Sequence, residues 1–152
     1  MIAQRLDELG LVLPPVFPPA GSYVGCVVDD GLVYVGGHGP INGADVIRGK
    51  VGATVTLAEA QRAARMTALS ILATLQAELG SLDRIDRILK VFGMVNVAPG
   101  FKQTPAVIDG CSDLLIDVFG ERGRHTRSAV GLAELPFDIA VEIELTARIR
   151  PL

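Results

Sequence analysis

A chain of 152 residues is the size of one domain, and 49% hydrophobic content is enough for a substantial core that needs no disulfide staples. A net charge of −3 and a pI near 5.3 supply no basic field to draw a nucleic acid through its phosphates, while leaving small anionic ligands open. Cys26 and Cys111 form no C-x-x-C motif, and His38 and His125 lie far apart with no metal-ligand spacing, so the chain reads as a cytoplasmic protein with reduced, buried thiols and no metal site.

In chain order, Ile2, Leu6 and Leu9 recur at helical spacing beside polar residues, predicting a short amphipathic helix that ends at Gly10. Pro14-Pro15 and Pro18-Pro19 cannot continue a helix or a central strand. Residues 1–19 therefore read as an N-terminal extension, a short helix and a Pro-rich connector, and residues 20–152 as the domain proper. No stretch has the length of a membrane span, and no basic region followed by an apolar core opens the chain as in a signal peptide.

The domain opens with strands from Tyr23 to Val28 and from Leu32 to Val35, joined by Asp29-Asp30-Gly31, where Asp-Gly favours a tight hairpin turn. Thr56 with Glu59 is a capping box, and Ala60, Ala64, Ala68, Ile71, Leu72, Leu75 and Leu79 form a helical stripe closed by Gly80. Ile85 to Val97, rich in β-branched residues, is the next strand. Thr104-Pro105 begins a second helix whose buried face runs from Val107 through Ile108, Cys111, Leu114, Leu115 and Val118 to Phe119, with Gly120 beyond.

The last stretch, His125 to Arg150, is the most informative. Val141, Ile143, Leu145, Ala147 and Ile149 alternate with Glu142, Glu144, Thr146 and Arg148, the period-2 pattern of a half-buried strand. Leu135-Pro136 separates this run from Arg127-Ser128-Ala129-Val130, so the two read as a closing hairpin with Arg127 and Glu142 on paired neighbouring strands. A guanidinium held by a sheet is a planar, permanently charged fork for a carboxylate or phosphate, and a nearby carboxylate can orient or deprotonate water. The order strand, strand, helix, strand, helix, strand, strand predicts an α+β domain, a mixed β-sheet with two helices on one face. Cys26, Val28, Phe92 and Met94 would leave apolar side chains on the other face, which self-association would cover.

R-S-x-V at Arg127, then L-P at Leu135, then V-E-I-E at Val141 resembles the YjgF/RidA family, the reactive-intermediate deaminases also known as L-PSP endoribonucleases and as chorismate-mutase-like proteins. Gly21-Ser22-Tyr23-Val24 and Val35-Gly36-Gly37-His38-Gly39-Pro40-Ile41 match further family segments in order, so the resemblance spans roughly residues 20 to 150. The resemblance implies a homotrimer with sheets facing inward and ligand clefts between subunits. It implies hydrolysis of 2-imino acids or their enamines to 2-keto acids and ammonium, with neither a metal nor a bound cofactor required. Arg127 would protrude into the shared cleft and hold the substrate carboxylate; Glu142 would position the water. Tyr23 from a neighbouring subunit, the turn glycine Gly37 and the backbone carbonyl of Ala129 would line the cleft. Many members carry cysteine where Ala129 stands, which argues against thiol chemistry here, and Asp109 to Ser112 replace a cleft-lining asparagine segment.

On the residues alone, Arg127 is equally readable as a cross-strand ion-pair partner of Glu142 or Glu144. Glu142 fits a solvated polar face, Tyr23 a half-buried strand aromatic, His38 a loop residue, and Gly36 and Gly37 simple turn geometry. Gly37-His38-Gly39 lacks the spacing of a dinucleotide fingerprint, and Gly49-Lys50 is followed by Val51 rather than by the hydroxyl of a P-loop. Two functions remain: the deaminase, and a non-catalytic protein that binds a small carboxylate metabolite. Ribonuclease chemistry has neither a histidine pair nor a basic groove behind it, and no membrane or nucleic-acid partner is expected.

Overall fold

The computed structural model describes residues 1–152. In chain order the elements are α1 (Ile2–Glu8), β1 (Cys26–Asp29), β2 (Leu32–His38), β3 (Ile41–Asn42), β4 (Asp45–Val46), α2 (Leu57–Leu79), β5 (Ile85–Asn96), α3 (Thr104–Phe119), β6 (Thr126–Leu132) and β7 (Val141–Ile149). Five strands form one sheet in the order β1-β2-β7-β5-β6, antiparallel throughout except for the parallel β5–β6 pair, and β3–β4 is a separate two-stranded ribbon. The α+β expectation holds, with α2 and α3 on one sheet face. No helix is long and apolar enough to cross a membrane.

The capping box forms as predicted: Thr56 Oγ1 accepts from the Glu59 amide, and the Glu59 carboxylate accepts from the Thr56 amide. Gly80 ends α2 in the left-handed region. The helical stripe, with Ile71, Leu72 and Leu75 fully buried, packs on Val33, Val35, Val91, Ile143 and Leu145 from the sheet. α2 and α3 cross closely because Gly110 has no side chain; a Cβ there would lie 2.1 Å from the Gln61 carbonyl oxygen. Thr104 and Pro105 begin α3, but the Thr104 hydroxyl caps nothing and instead donates to the Ala129 carbonyl at 3.0 Å. The N-terminal helix has a partner in its own chain: Ile2 and Leu6 join the main core, and Arg5 Nε donates to the Asp117 carbonyl at 2.8 Å.

Three local expectations need correction. β1 starts at Cys26, three residues later than the expected start at Tyr23, because residues 21–23 bend. The glycine segment 36–38 is not a turn but the end of β2, which continues past an irregularity in its register with β7 to pair His38 with Ile143. Cys26 and Val28 pair with the core residues Val35 and Val33 and so share the helix-covered face; Val27, Tyr34, Phe92, Met94 and Val130 occupy the open one.

The closing hairpin does not exist. β5 lies between β6 and β7, pairing Val91 with Arg127 on one side and with Leu145 on the other. Alternation alone cannot tell a hairpin from two strands separated by a third, since both satisfy the same period.

Candidate functional site

Glu142 lies on the open sheet face, opposite in register to Met94 and adjacent in sequence to the core residue Ile143. Its carboxylate enters a cavity of about 410 Å³, within the range of small-molecule sites, between the end of β2, the N-terminal strap 17–23 and the loop 136–139. Gly37 makes room for it: a Cβ at that position would sit 2.6 Å from Glu142 Oε2. Glu142 forms no ion pair within the chain. Burial pushes its pKa up, and the neighbouring Glu144 carboxylate adds to the rise. A half-buried carboxylate with a raised pKa and no internal cation is suited to taking a proton from water or from a ligand.

Tyr23 and His38 line the same cavity. The Tyr23 hydroxyl accepts from the Ala20 amide at 3.0 Å, a bond internal to the strap, and Tyr23 lines the cavity of its own chain. His38 Nδ1 donates to the Gly36 carbonyl at 2.7 Å, which leaves Nε2 to accept from Thr74 Oγ1 at 2.8 Å. With both ring nitrogens engaged and its pKa lowered chiefly by burial, His38 is a neutral structural wall.

Arg127 is elsewhere. Its register partner Val91 is a core residue, so its side chain points to the helix-covered face, where Nη1 donates to Asp109 Oδ1 at 2.8 Å and to Ser112 Oγ at 3.1 Å. Ser112 in turn contacts His125 Nε2 at 2.9 Å, and His125 Nδ1 donates to the Gly123 carbonyl at 2.6 Å. Two strand spacings, ~10 Å, and the thickness of the sheet separate Arg127 from Glu142. Within one chain Arg127 is tied to Asp109 and Ser112 through Nη1, while its Nε and Nη2 form no hydrogen bond. Ala129 lies on the Arg127 side, packed against the core with its carbonyl engaged by Thr104.

The structure therefore brings Tyr23, Gly37 and Glu142 together and leaves Arg127 and Ala129 apart from them. Sequence reasoning missed Arg48 and Phe137, which also line the cavity, and missed the partners of Arg127. A signal for those partners was present: Asp109 and Ser112 are three apart on one helix face, where both can meet one guanidinium. No group of three or more His, Cys, Asp or Glu side chains is placed to hold a metal ion.

Residues 3–148 match the model of a family described as "YjgF/chorismate_mutase-like, putative endoribonuclease". The chain is 43% identical over 145 residues to Protein TCP17 of Trypanosoma cruzi, covering 94% of this chain and 91% of that protein. Among solved structures it is similar to Atu1372 of Agrobacterium tumefaciens, a protein of unknown function, with 42% identity, a TM-score of 0.91 and coverage of 98% and 92% of the two chains. It is also similar to a protein of Shewanella oneidensis described as a "putative endoribonuclease", with 31% identity, a TM-score of 0.95 and coverage of 98% and 99%. With the family model matching nearly the whole chain, the chain belongs to the YjgF/chorismate-mutase-like family.

Proposed function

We propose that the protein hydrolyses reactive 2-imino acids, or the enamines in equilibrium with them, to 2-keto acids and ammonium. The observation that carries this reading is the Glu142 carboxylate, raised in pKa and free of any internal cation, standing in a cavity of small-molecule size. The protonated imine R–C(=NH2⁺)–COO⁻ is attacked at carbon by water; Glu142 takes one proton as the water attacks and the hydroxyl proton as the C–N bond breaks, and passes both to the departing nitrogen. The C–N bond breaks, and the products are R–CO–COO⁻ and NH4⁺. General-base help of this kind contributes roughly 10²- to 10⁴-fold.

Self-association is part of the proposal. Val27, Tyr34 and Val130 are exposed apolar side chains on the open face, and association of subunits through that face would cover them. A homotrimer buries that face and carries a neighbour's Arg127, with its unused Nε–Nη2 edge, toward the cleft. Unpaired Cys26 and Cys111 support a reducing, cytoplasmic setting.

A second reading is favoured by one observation: Asp109 and Ser112 already hold Arg127. In that reading the same cavity binds a small carboxylate metabolite without turnover. Ammonium release from enamine generated in place by a serine or threonine dehydratase separates the two. The deaminase reading expects acceleration by native protein and its reduction in Arg127→Ala; no acceleration by native protein leaves the binder.

A further inference from the structure

The Glu142 cavity contains a second charged side chain that nothing in the chain neutralises. Arg48 follows β4, and its Nε donates to the Phe137 carbonyl at 3.2 Å, which fixes the direction of the guanidinium. Its Nη1 and Nη2 form no hydrogen bond, and no carboxylate of the chain lies within ion-pair distance. An exposed arginine capping a carbonyl is ordinary. Arg48 differs because the unpaired Glu142 lines the same cavity without meeting it, so opposite charges face a common space large enough for a dipolar molecule.

The lining also carries large apolar side chains on opposite sides of the space. Phe17 on the strap and Phe137 on the opposite loop are 49% and 69% exposed while lining this space. Phe137 also adopts φ 58°, a left-handed conformation unfavourable for a bulky residue, followed by Asp138 at φ 56°. Strain of this sort concentrates where a side chain is held for a ligand.

We infer that Arg48 is the cavity's own carboxylate anchor and that Phe17 and Phe137 receive an apolar side chain, so that among 2-imino and 2-keto acids those with bulky apolar side chains bind most tightly. The carboxylate takes the terminal edge of the Arg48 fork, and the imine or keto carbon is turned toward Glu142. This rests on the reading of the cavity as the ligand site and adds to it both a binding residue and a substrate class. A neighbouring Arg127 would act on the same carboxylate without replacing Arg48.

The test is calorimetric titration of phenylpyruvate and of 2-oxobutanoate, both stable keto acids, into native protein, Arg48→Gln, Arg48→Lys and the surface control Arg62→Gln. Phenylpyruvate should bind roughly tenfold or more tightly than 2-oxobutanoate, since it buries more apolar surface. Arg48→Gln should weaken phenylpyruvate roughly tenfold or more, Arg48→Lys should fall between, and Arg62→Gln should match native protein. Native affinity in Arg48→Gln, equal affinity for the two acids, or no binding by native protein overturns the inference. Parallel ammonium assays separate the two proposals. Turnover by Arg48→Gln at an unchanged KM removes the anchor and keeps the reaction; binding that depends on Arg48 without turnover by native protein keeps the anchor and removes the reaction.

Discussion

Gly37 and Glu142 are so close that a single methyl group on the glycine would meet Glu142 Oε2 at 2.6 Å. The atom met is the free end of a side chain, so the carboxylate can swing away at small cost to the fold. Gly37→Ala should therefore lower kcat by displacing Glu142 while leaving the thermal midpoint near that of native protein. A large loss of stability with unaltered turnover would show that Gly37 serves the strand and not the site.

The raised pKa of Glu142 has a sign that can be measured. A carboxyl group that binds its proton more tightly folded than unfolded opposes folding above its folded pKa, and the opposition fades as pH falls toward the ordinary 4.5. Glu142→Gln should thus be more stable than native protein at pH 7, with the advantage shrinking as pH falls through the raised folded pKa and gone below the ordinary 4.5. Denaturant midpoints across that range check it; an advantage that grows on acidification contradicts the assignment.

His38 and His125 both have lowered pKa values, chiefly through burial. The unfolded chain then binds protons that the folded chain does not, so stability falls as pH drops through 6.5 toward the lower folded values. His125→Gln should flatten part of this slope. It should also loosen Ser112, and with it the hold on Arg127.

At the helix crossing, Gly110→Ala forces a Cβ against the Gln61 carbonyl, which as main chain cannot move aside. Overpacking in a close-packed region costs about 1–3 kcal/mol and occasionally more, and Gly110→Ala should show at least that loss by urea denaturation. Leu115→Ala, at a fully buried site, should lose about 2–5 kcal/mol through the cavity it leaves.

Thiol chemistry should be slow. Burial pushes the Cys111 thiol up to about 12, and burial together with Glu78 raises that of Cys26. Neither should react quickly with an alkylating reagent at neutral pH until the chain is unfolded. Rapid labelling of native protein at Cys111 would contradict the packing described.

The helices were legible because their signals are local: the Thr56–Glu59 box, the stripe through Ile71 and Leu75, and the Gly80 stop lie within a few turns of one another. Strand existence was legible for the same reason at β5 and β7. Strand order was not, because alternation at Val141–Ile149 states which residues share a face and says nothing of which strand lies beside them. That is why Arg127 and Glu142, correctly singled out as charged strand residues, were joined when β5 in fact divides them. The glycines at 36 and 37 looked like a turn since composition cannot separate a turn from a strand end that a side chain must approach closely. Arg48 carried no sequence signal at all; only the folding of the loop 136–139 against it gives it a cavity to face.

The most direct test of the account is the rate of ammonium release from enamine generated in place, compared between native protein and Glu142→Gln at neutral pH. The account predicts acceleration over buffer by native protein and a fall of roughly 10²-fold or more in kcat for Glu142→Gln, with the fold intact. Equal acceleration by the two proteins would contradict it.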